Sequence, residues 1–215
     1  MEKVLITGFE PFGGEPVNPA QEVTKLLDGK IIAGHQVIAR GLPVVRHTSR
    51  ELLSKMIDEI NPVLIIAVGQ AGGRLEMSLE RVAINVDDFR IPDNSNLQTI
   101  DEPIIPEGPV GYWSTLPIKA ALVAMRATGI PTSVSNTAGT YVCNHLFYGL
   151  MHHLAITNSK ARGGFVHIPY LPEQAARLTT QPSMSLSTMA SGLEVLIETC
   201  LSVDEDTKVS GGTIC

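Results

Sequence analysis

The feature that most constrains the fold is a run of six apolar residues, VLIIAV at residues 63–68. Its length suits a β-strand, and its unbroken hydrophobicity is typical of a parallel strand buried on both faces. Strand-like runs alternate with helical patterns on both sides of it. Such alternation is typical of layered domains in which helices cover a central sheet. We therefore expect an α/β fold.

Capping signals place the predicted helices. Asn18 as N-cap, with Pro19 and Gln21 after it, predicts the start of a helix that Gly29 ends. The capping-box sequence TSRE at residues 48–51 predicts the start of a second helix. Apolar spacing indicates further helices over residues 118–125, 142–155 and 189–200. Besides 63–68, strands are expected at residues 3–7, 81–86, 132–135 and 164–168.

Residues 91–117 differ from the rest of the chain, because they contain five prolines and little periodicity. A connection of this length is either a functional loop, such as a lid over a binding site, or an ordered surface excursion. The pattern does not choose between the two. Nothing repeats internally and no linker divides the chain, so residues 1–215 are expected to form one domain.

Composition and charge exclude several functional classes. The net charge of -6 and the sequence pI near 5.5 provide no basic footprint, so nucleic acid is not an expected partner. No apolar stretch reaches the roughly 18 residues of a membrane span, and the first residues do not resemble a signal peptide. Three widely spaced cysteines do not form a disulfide framework. We therefore expect a cytoplasmic protein with free thiols.

Cys143 is the candidate nucleophile. It follows a small polar turn at residues 136–140 and opens a predicted helix, and free N–H groups at a helix N-terminus stabilise an anion. The thiolate is the reactive form of cysteine, so this position favours catalysis. The alternative is a small buried hydrophobe. That alternative fits Cys200, on the apolar face of the last helix, whereas the terminal Cys215 is expected to be exposed.

A cysteine nucleophile needs a base, and His167 is the best placed of six histidines. It lies at the carboxyl end of a predicted strand, the edge at which open α/β sheets bind their ligands. His145 is too close to Cys143 in sequence to share its helix face. An acid must orient the imidazole, and Glu80, Asp87 and Asp88 all remain candidates because spacing does not choose among them.

Two glycine-rich segments follow predicted strands, TGFEPFGG at residues 7–14 and GQAGG at residues 69–73. Neither matches a dinucleotide or P-loop fingerprint. The phenylalanines Phe9 and Phe12 suit a flat apolar ligand better than a phosphate. No histidine and cysteine pattern has zinc spacing, so we expect neither a metal nor a cofactor.

Taken together, these segments resemble pyroglutamyl peptidase I, also called pyrrolidone-carboxylate peptidase. The resemblance covers essentially the whole chain. It is carried by TGFEPFGG (7–14) with the following Asn-Pro (18–19), GQAGGR (69–74), SLERVAINVDDFRIPDN (78–94), SNTAGTYVCNH (135–145) and HIPYLP (167–172). It implies a single-domain, three-layer α/β/α sandwich around a twisted, largely parallel sheet. It also implies a homo-oligomer, often a tetramer.

The resemblance implies a role for individual residues as well. The family's catalytic triad falls on Glu80, Cys143 and His167, which selects one acid from the three left open. The implied reaction is hydrolysis, through a thioester, of the bond after an N-terminal pyroglutamyl residue of a peptide. The substrate pocket of the family falls on Phe9, Phe12, Gln70, Arg90, Ile91, Tyr141 and Val142.

Two other functional classes are compatible with the residue pattern alone. One is a transferase such as a nucleoside phosphorylase, with phosphate held at residues 69–73, for which Cys143 is dispensable. The other is a non-catalytic binding protein for small cyclic ligands. Phosphate-dependent activity, or ligand binding that survives loss of the thiol without turnover, distinguishes them from a peptidase.

Overall fold

The computed structural model describes residues 1–212, so Cys215 lies outside the described residues. One sheet contains the strands β1 (Lys3–Phe9), β2 (Ile31–Ile32), β3 (His35–Leu42), β4 (Leu64–Gln70), β5 (Met77–Ile84), β6 (Gly111–Trp113), β7 (Thr132–Thr137) and β8 (Arg162–Ile168). The helices are α1 (Pro19–Leu27), α2 (Arg46–Ile60), α3 (Ile118–Ala127), α4 (Val142–Ile156), α5 (Pro172–Ala175) and α6 (Leu186–Ser202).

The strand order is β2-β3-β1-β4-β8-β5, and β5 also pairs with β6 and β7. Strands β3, β1, β4 and β8 are mutually parallel. Strand β5 runs antiparallel to β8, so its first residues lie beside the carboxyl end of β8. The expected largely parallel sheet is thus confirmed, and its one central reversal positions a candidate site residue, Glu80.

Alternating side chains on the central strands face two separate cores. On β1, Val4 and Ile6 pack into the layer that contains α1, α3 and α6, whereas Leu5 packs into the layer of α2 and α4. The side chains of the predicted apolar run also alternate between the two cores, because β4 is buried along its whole length and contributes residues to both. Burial on both faces explains its unbroken hydrophobicity. The three-layer α/β/α architecture is confirmed.

The two predicted helix starts differ in outcome. Asn18 caps α1 as expected, and its Oδ1 accepts a hydrogen bond of 3.0 Å from the Ala20 N–H. Helix α2 begins at Arg46, two residues before the predicted capping box, so that prediction was wrong. The cap comes from a distant residue, because Asp93 Oδ2 accepts the Arg46 N–H at 2.9 Å. A capping group 47 residues away leaves no local signal.

The proline-rich segment 91–117 is largely an ordered excursion. Asp93 Oδ1 accepts the N–H groups of Ser95 and Leu97, and an isolated bridge joins Asp87 to Glu102. The segment then forms β6 on the edge of β5. Only its beginning reaches the candidate site described below.

None of the helices within residues 1–212 combines the length and hydrophobicity that a membrane crossing demands. Over the same residues, no group of three or more His, Cys, Asp and Glu side chains is arranged to hold a metal ion.

Candidate active site

Cys143 is the second residue of α4 and is half-buried. The first N–H groups of a helix have no intrahelical acceptors. Tyr141 is the N-cap of α4 but its side chain accepts no hydrogen bond from them, so they are left uncapped. The start of α4 is fixed instead by Asn144, whose amide bonds the backbone N–H and C=O of Ile84 at the end of β5. The sulfur therefore has a defined position above the sheet.

His167 lies next to this thiol because of the strand register. It pairs with Gly69 on the neighbouring strand β4, so both positions face the same side of the sheet. A Cβ at Gly69 would lie 3.0 Å from Cys143 Sγ. The sulfur thus sits directly over Gly69, and His167 is one strand spacing of about 4.8 Å away. The glycine makes room for the thiol beside the imidazole.

Glu80 is hydrogen-bonded to the imidazole of His167. Ser78 pairs with His167 across β5 and β8, and Glu80 lies two residues further along on the same face. Its Oε1 is 2.7 Å from His167 Nδ1 and 2.9 Å from an Arg74 guanidinium nitrogen. Glu80 is fully buried, and only 4% of His167 is exposed. Because Nδ1 is engaged, Nε2 is the ring nitrogen available to the thiol.

A cavity of about 430 Å³ opens beside these groups. Phe12 and Tyr141 form an aromatic wall, with ring centroids 6.2 Å apart. Phe89 supports Tyr141 from behind in an edge contact at 4.8 Å, and the Tyr141 hydroxyl bonds the Pro92 carbonyl. The lining consists of Phe12, Gln70, Asp88, Arg90, Ile91, Ala138, Gly139, Thr140, Tyr141, Cys143 and His167. Size does not single this cavity out, since another of about 410 Å³ beside β6 contains neither cysteine nor histidine.

Comparison with known proteins identifies the family. Residues 2–203 match the pyroglutamyl peptidase family. The chain belongs to that family. It is 62% identical to the pyrrolidone-carboxylate peptidase of Bacillus cytotoxicus and 54% identical to that of Bacillus cereus, with 99% of each chain covered in both cases. The expected resemblance is confirmed.

Solved structures agree with this family assignment. The chain is similar to pyroglutamyl peptidase I from Bacillus amyloliquefaciens at 44% identity and a TM-score of 0.95, covering 98% of this chain and 100% of that one. It is also similar to a mutant pyrrolidone carboxyl peptidase from the hyperthermophile Pyrococcus furiosus. That match has 44% identity and a TM-score of 0.90, and covers 93% of this chain and 98% of the other. These similarities extend over nearly the whole fold.

The structure of this pyroglutamyl peptidase family member places most of the expected site residues around one cavity. Five of the seven expected pocket residues line it: Phe12, Gln70, Arg90, Ile91 and Tyr141. Phe9 and Val142 are buried in the core behind it. Of the two other candidate acids, Asp87 bonds Arg46 and His145, while Asp88 is exposed on the cavity wall.

Sequence reasoning missed part of the cavity wall. Ala138, Gly139 and Thr140 line the cavity and belong to the polar turn that was noted only as a lead into α4. Thr140 Oγ1 donates to the Asp88 carbonyl at 2.8 Å, which joins two segments of the wall. The position of this turn in the sequence could have identified it, because a turn that directly precedes a candidate nucleophile at a helix start must border the site.

The electrostatics of the thiol differ from the sequence expectation. Burial and the negative charge of Glu80 raise the pKa of Cys143 to about 12, while Arg74 and the cysteine's own backbone N–H lower it by less. The helix N-terminus alone therefore does not ionise the sulfur. A thiol in this setting needs to transfer its proton to an adjacent base, and His167 occupies that position.

Proposed function

We propose that the protein removes an N-terminal pyroglutamyl residue from peptides, with Cys143 as nucleophile, His167 as base and acid, and Glu80 as the orienting carboxylate. Membership of the pyroglutamyl peptidase family supports the activity. The observation that carries the residue roles is the buried Glu80–His167 pair beside the sulfur, at the carboxyl end of the central strands. This is the acid–imidazole–nucleophile arrangement of a hydrolase triad.

The reaction begins with transfer of the Cys143 thiol proton to His167 Nε2. The sulfur then attacks the carbonyl carbon that joins pyroglutamate to the next residue, forming a C–S bond and a tetrahedral oxyanion. The uncapped N–H groups at the start of α4 are suitable donors to this oxyanion. The C–N bond breaks, the amine leaves with the proton from His167, and a thioester remains.

Hydrolysis of the thioester completes the cycle. His167 takes a proton from water as the hydroxide attacks, and returns it to the sulfur as pyroglutamate leaves. Glu80 keeps Nδ1 in its donor tautomer through both steps, and its negative charge stabilises the imidazolium.

The cavity suits a flat, neutral ring. Phe12, Tyr141 and Ile91 provide apolar surface, and Gln70 provides an amide. We infer that Phe9, in the core cluster against which Phe12 packs, supports that ring, and that Val142 contributes its backbone N–H at the helix start. Arg90 is exposed at the cavity, where the peptide beyond pyroglutamate would leave the site.

Hydrolysis of a fluorogenic pyroglutamyl amide tests the proposal, under reducing conditions and with a chelator present. Cys143→Ala is expected to lose turnover while keeping the wild-type circular dichroism spectrum. Cys200→Ala is the matched control, because it removes a thiol that is buried in the core beneath α6. Wild-type turnover in Cys143→Ala would refute the mechanism, and an inactive wild-type protein would refute the activity.

We also infer a cytoplasmic homo-oligomer, a tetramer by family resemblance. Free Cys143 and Cys200 suit a reducing compartment. Exposed apolar side chains around β6, such as Val110 and Trp113, suit a subunit contact. Light scattering of the purified protein measures the assembly, and a monomeric mass at micromolar concentration contradicts it. Cell fractionation tests the compartment, and activity outside the cytoplasmic fraction contradicts that assignment.

A further inference from the structure

Gln174 connects a buried hydrogen-bond network to the cavity. It lies in the short helix α5 and is fully buried. Its Oε1 accepts the Leu171 N–H at 3.0 Å. Its Nε2 donates to Gln70 Oε1 at 2.9 Å, and lies 3.3 Å from both Glu15 Oε2 and the Val17 carbonyl. A polar side chain this deeply buried is held by all of these partners.

The partners allow only one orientation of the Gln174 amide. The Leu171 N–H can only donate, so the atom that faces it must be the carbonyl oxygen. The Val17 carbonyl and an ionised Glu15 can only accept, so the atom facing them must be the NH₂ group. Arg177 bonds Glu15 at 2.7 Å and lowers the pKa of that carboxyl, which keeps Glu15 an acceptor at neutral pH.

The orientation of Gln174 in turn determines that of Gln70. Because Gln174 donates an N–H to Gln70, Gln70 must accept this hydrogen bond with Oε1. The Nε2 of Gln70 is then directed away from Gln174, and it has no hydrogen-bond partner among residues 1–212. Gln70 lines the cavity, so the consequence is an unpaired amide donor at the wall of the site.

We propose that Gln174 is a positioning residue that fixes Gln70 as a hydrogen-bond donor, and that this donor recognises the ring carbonyl oxygen of the pyroglutamyl group. The inference rests on the proposed function and deepens it. A pyroglutamyl ring and a prolyl ring have nearly the same size, but the prolyl ring lacks that carbonyl and has a protonated amine at neutral pH. Apolar walls disfavour the charged ring, and a donor that is left unpaired adds a further penalty against any ring without an acceptor.

The polarity of Gln70 matters as much as its presence. An amide rotated by 180° would direct Oε1 at the ring carbonyl, so that two acceptors would face each other. Gln174 prevents this rotation, because the rotated amide would place two NH₂ groups in contact. Selectivity for the lactam thus depends on a side chain that does not border the cavity itself.

Gln174→Glu tests the inference. The new carboxyl keeps the volume and an acceptor for the Leu171 N–H, but in its ionised form it removes the donor. In alkaline buffer, which favours that form beside Glu15, Gln70 is expected to turn its NH₂ toward the new carboxylate. We expect kcat/KM for a pyroglutamyl amide to fall about 10- to 100-fold, mainly through KM, because an unpaired acceptor weakens ring binding. The rate at which iodoacetamide alkylates Cys143 should stay at the wild-type value, since that reagent needs no ring recognition.

A double-mutant cycle separates positioning from structural damage. In a Gln70→Met background, Gln174→Glu should cause no further loss of kcat/KM, because Gln174 acts only through Gln70. Gln174→Met is a second variant with no added charge, and it should lower the ratio of kcat/KM for pyroglutamyl amide to that for prolyl amide. Additive losses, or wild-type kinetics in both Gln174 variants, overturn the inference while the proposed function stands. Absence of wild-type turnover would instead remove the proposed function.

Discussion

Gly69→Ala is the sharpest test of the site geometry, because it adds one methyl group beneath the sulfur of Cys143. The new Cβ would lie 3.0 Å from Cys143 Sγ and 2.8 Å from Phe165 Cζ. Gly69 belongs to the hydrogen-bonded ladder between β4 and β8, one pair from its carboxyl end, and its backbone conformation is one that alanine readily adopts. The perturbation is therefore steric and local.

The expected magnitude follows from these distances. Non-bonded atoms of this size prefer about 3.5 to 4.0 Å, so the sulfur must move by roughly 0.5 to 1 Å. Misplacement of a reacting group by 1 Å costs about 100-fold in rate, so we expect kcat to fall by about 10- to 100-fold. Overpacking costs about 1 to 3 kcal/mol of unfolding free energy. For a chain of this size, each kcal/mol lowers Tm by roughly 2 to 4 °C.

The assay combines steady-state hydrolysis of a pyroglutamyl amide with a thermal melt. Gly163→Ala is the matched control, because its Cβ would lie 2.8 Å from Leu154 Cδ1 in the same layer. Four residues of extended strand place it about 13 Å from His167. The control should lower Tm without lowering kcat. A folded Gly69→Ala protein with kcat within twofold of wild type would show that the sulfur does not sit over Gly69 as described.

Three further substitutions test the buried acids and imidazoles. Glu80→Gln should lower kcat about 100- to 10,000-fold, because it no longer fixes the tautomer of His167 or stabilises its imidazolium; steady-state kinetics with a small effect would exclude Glu80 as the orienting acid. Asp93→Asn should cost about 1 kcal/mol of unfolding free energy in urea at pH 7, since it weakens the cap of α2. Burial raises the pKa of Asp93, but hydrogen bonds from Arg46, Ser95 and Leu97 outweigh burial and leave the pKa below its ordinary value. The stabilisation that the Asp93 carboxylate gives to the folded protein is therefore present above pH ~4 and is lost as pH falls further. A cost that persists unchanged at lower pH contradicts that account. Burial lowers the pKa of His145 in the folded protein. Below the ordinary histidine pKa of about 6.5, the unfolded chain therefore binds more protons than the folded one, and the free energy of unfolding of the wild type should decrease as pH falls. His145→Asn should reduce this slope in urea titrations, and an unchanged slope excludes His145 as its source.

The sequence predicted the layers well because they depend on local patterns. The continuous apolar runs in β1 and β4 report burial on both faces directly, and both strands were found. The start of α2 was misplaced because its cap is a carboxylate on a distant loop. Strand β5 begins at Met77, four residues before the predicted Arg81, so that boundary was wrong. Its first half, MSLE, alternates apolar and polar residues, which is a strand signal that the prediction overlooked.

The site was predictable only in part. Cys143 and His167 each follow a local signal, a helix start and a strand end, and the register of β4 and β8 brings the two together. The acid had no such signal, because its choice depends on the antiparallel placement of β5. The orientation of Gln70 was equally hidden, since Gln174 lies 104 residues further along the chain.

A second acid–imidazole pair shows why residue type alone could not identify the catalytic one. Asp87 Oδ2 is 2.8 Å from His145 Nδ1, which is nearly the geometry of Glu80 and His167. Both residues are fully buried, and Arg46 also bonds Asp87 at 2.6 Å. The pair therefore joins α2 and α4 to the segment that carries Asp88, Arg90 and Ile91 into the cavity, and has no access to substrate. We infer that the same kind of acid–imidazole pair is structural where it is sealed between helices and catalytic where a strand end places it beside a thiol at a cavity.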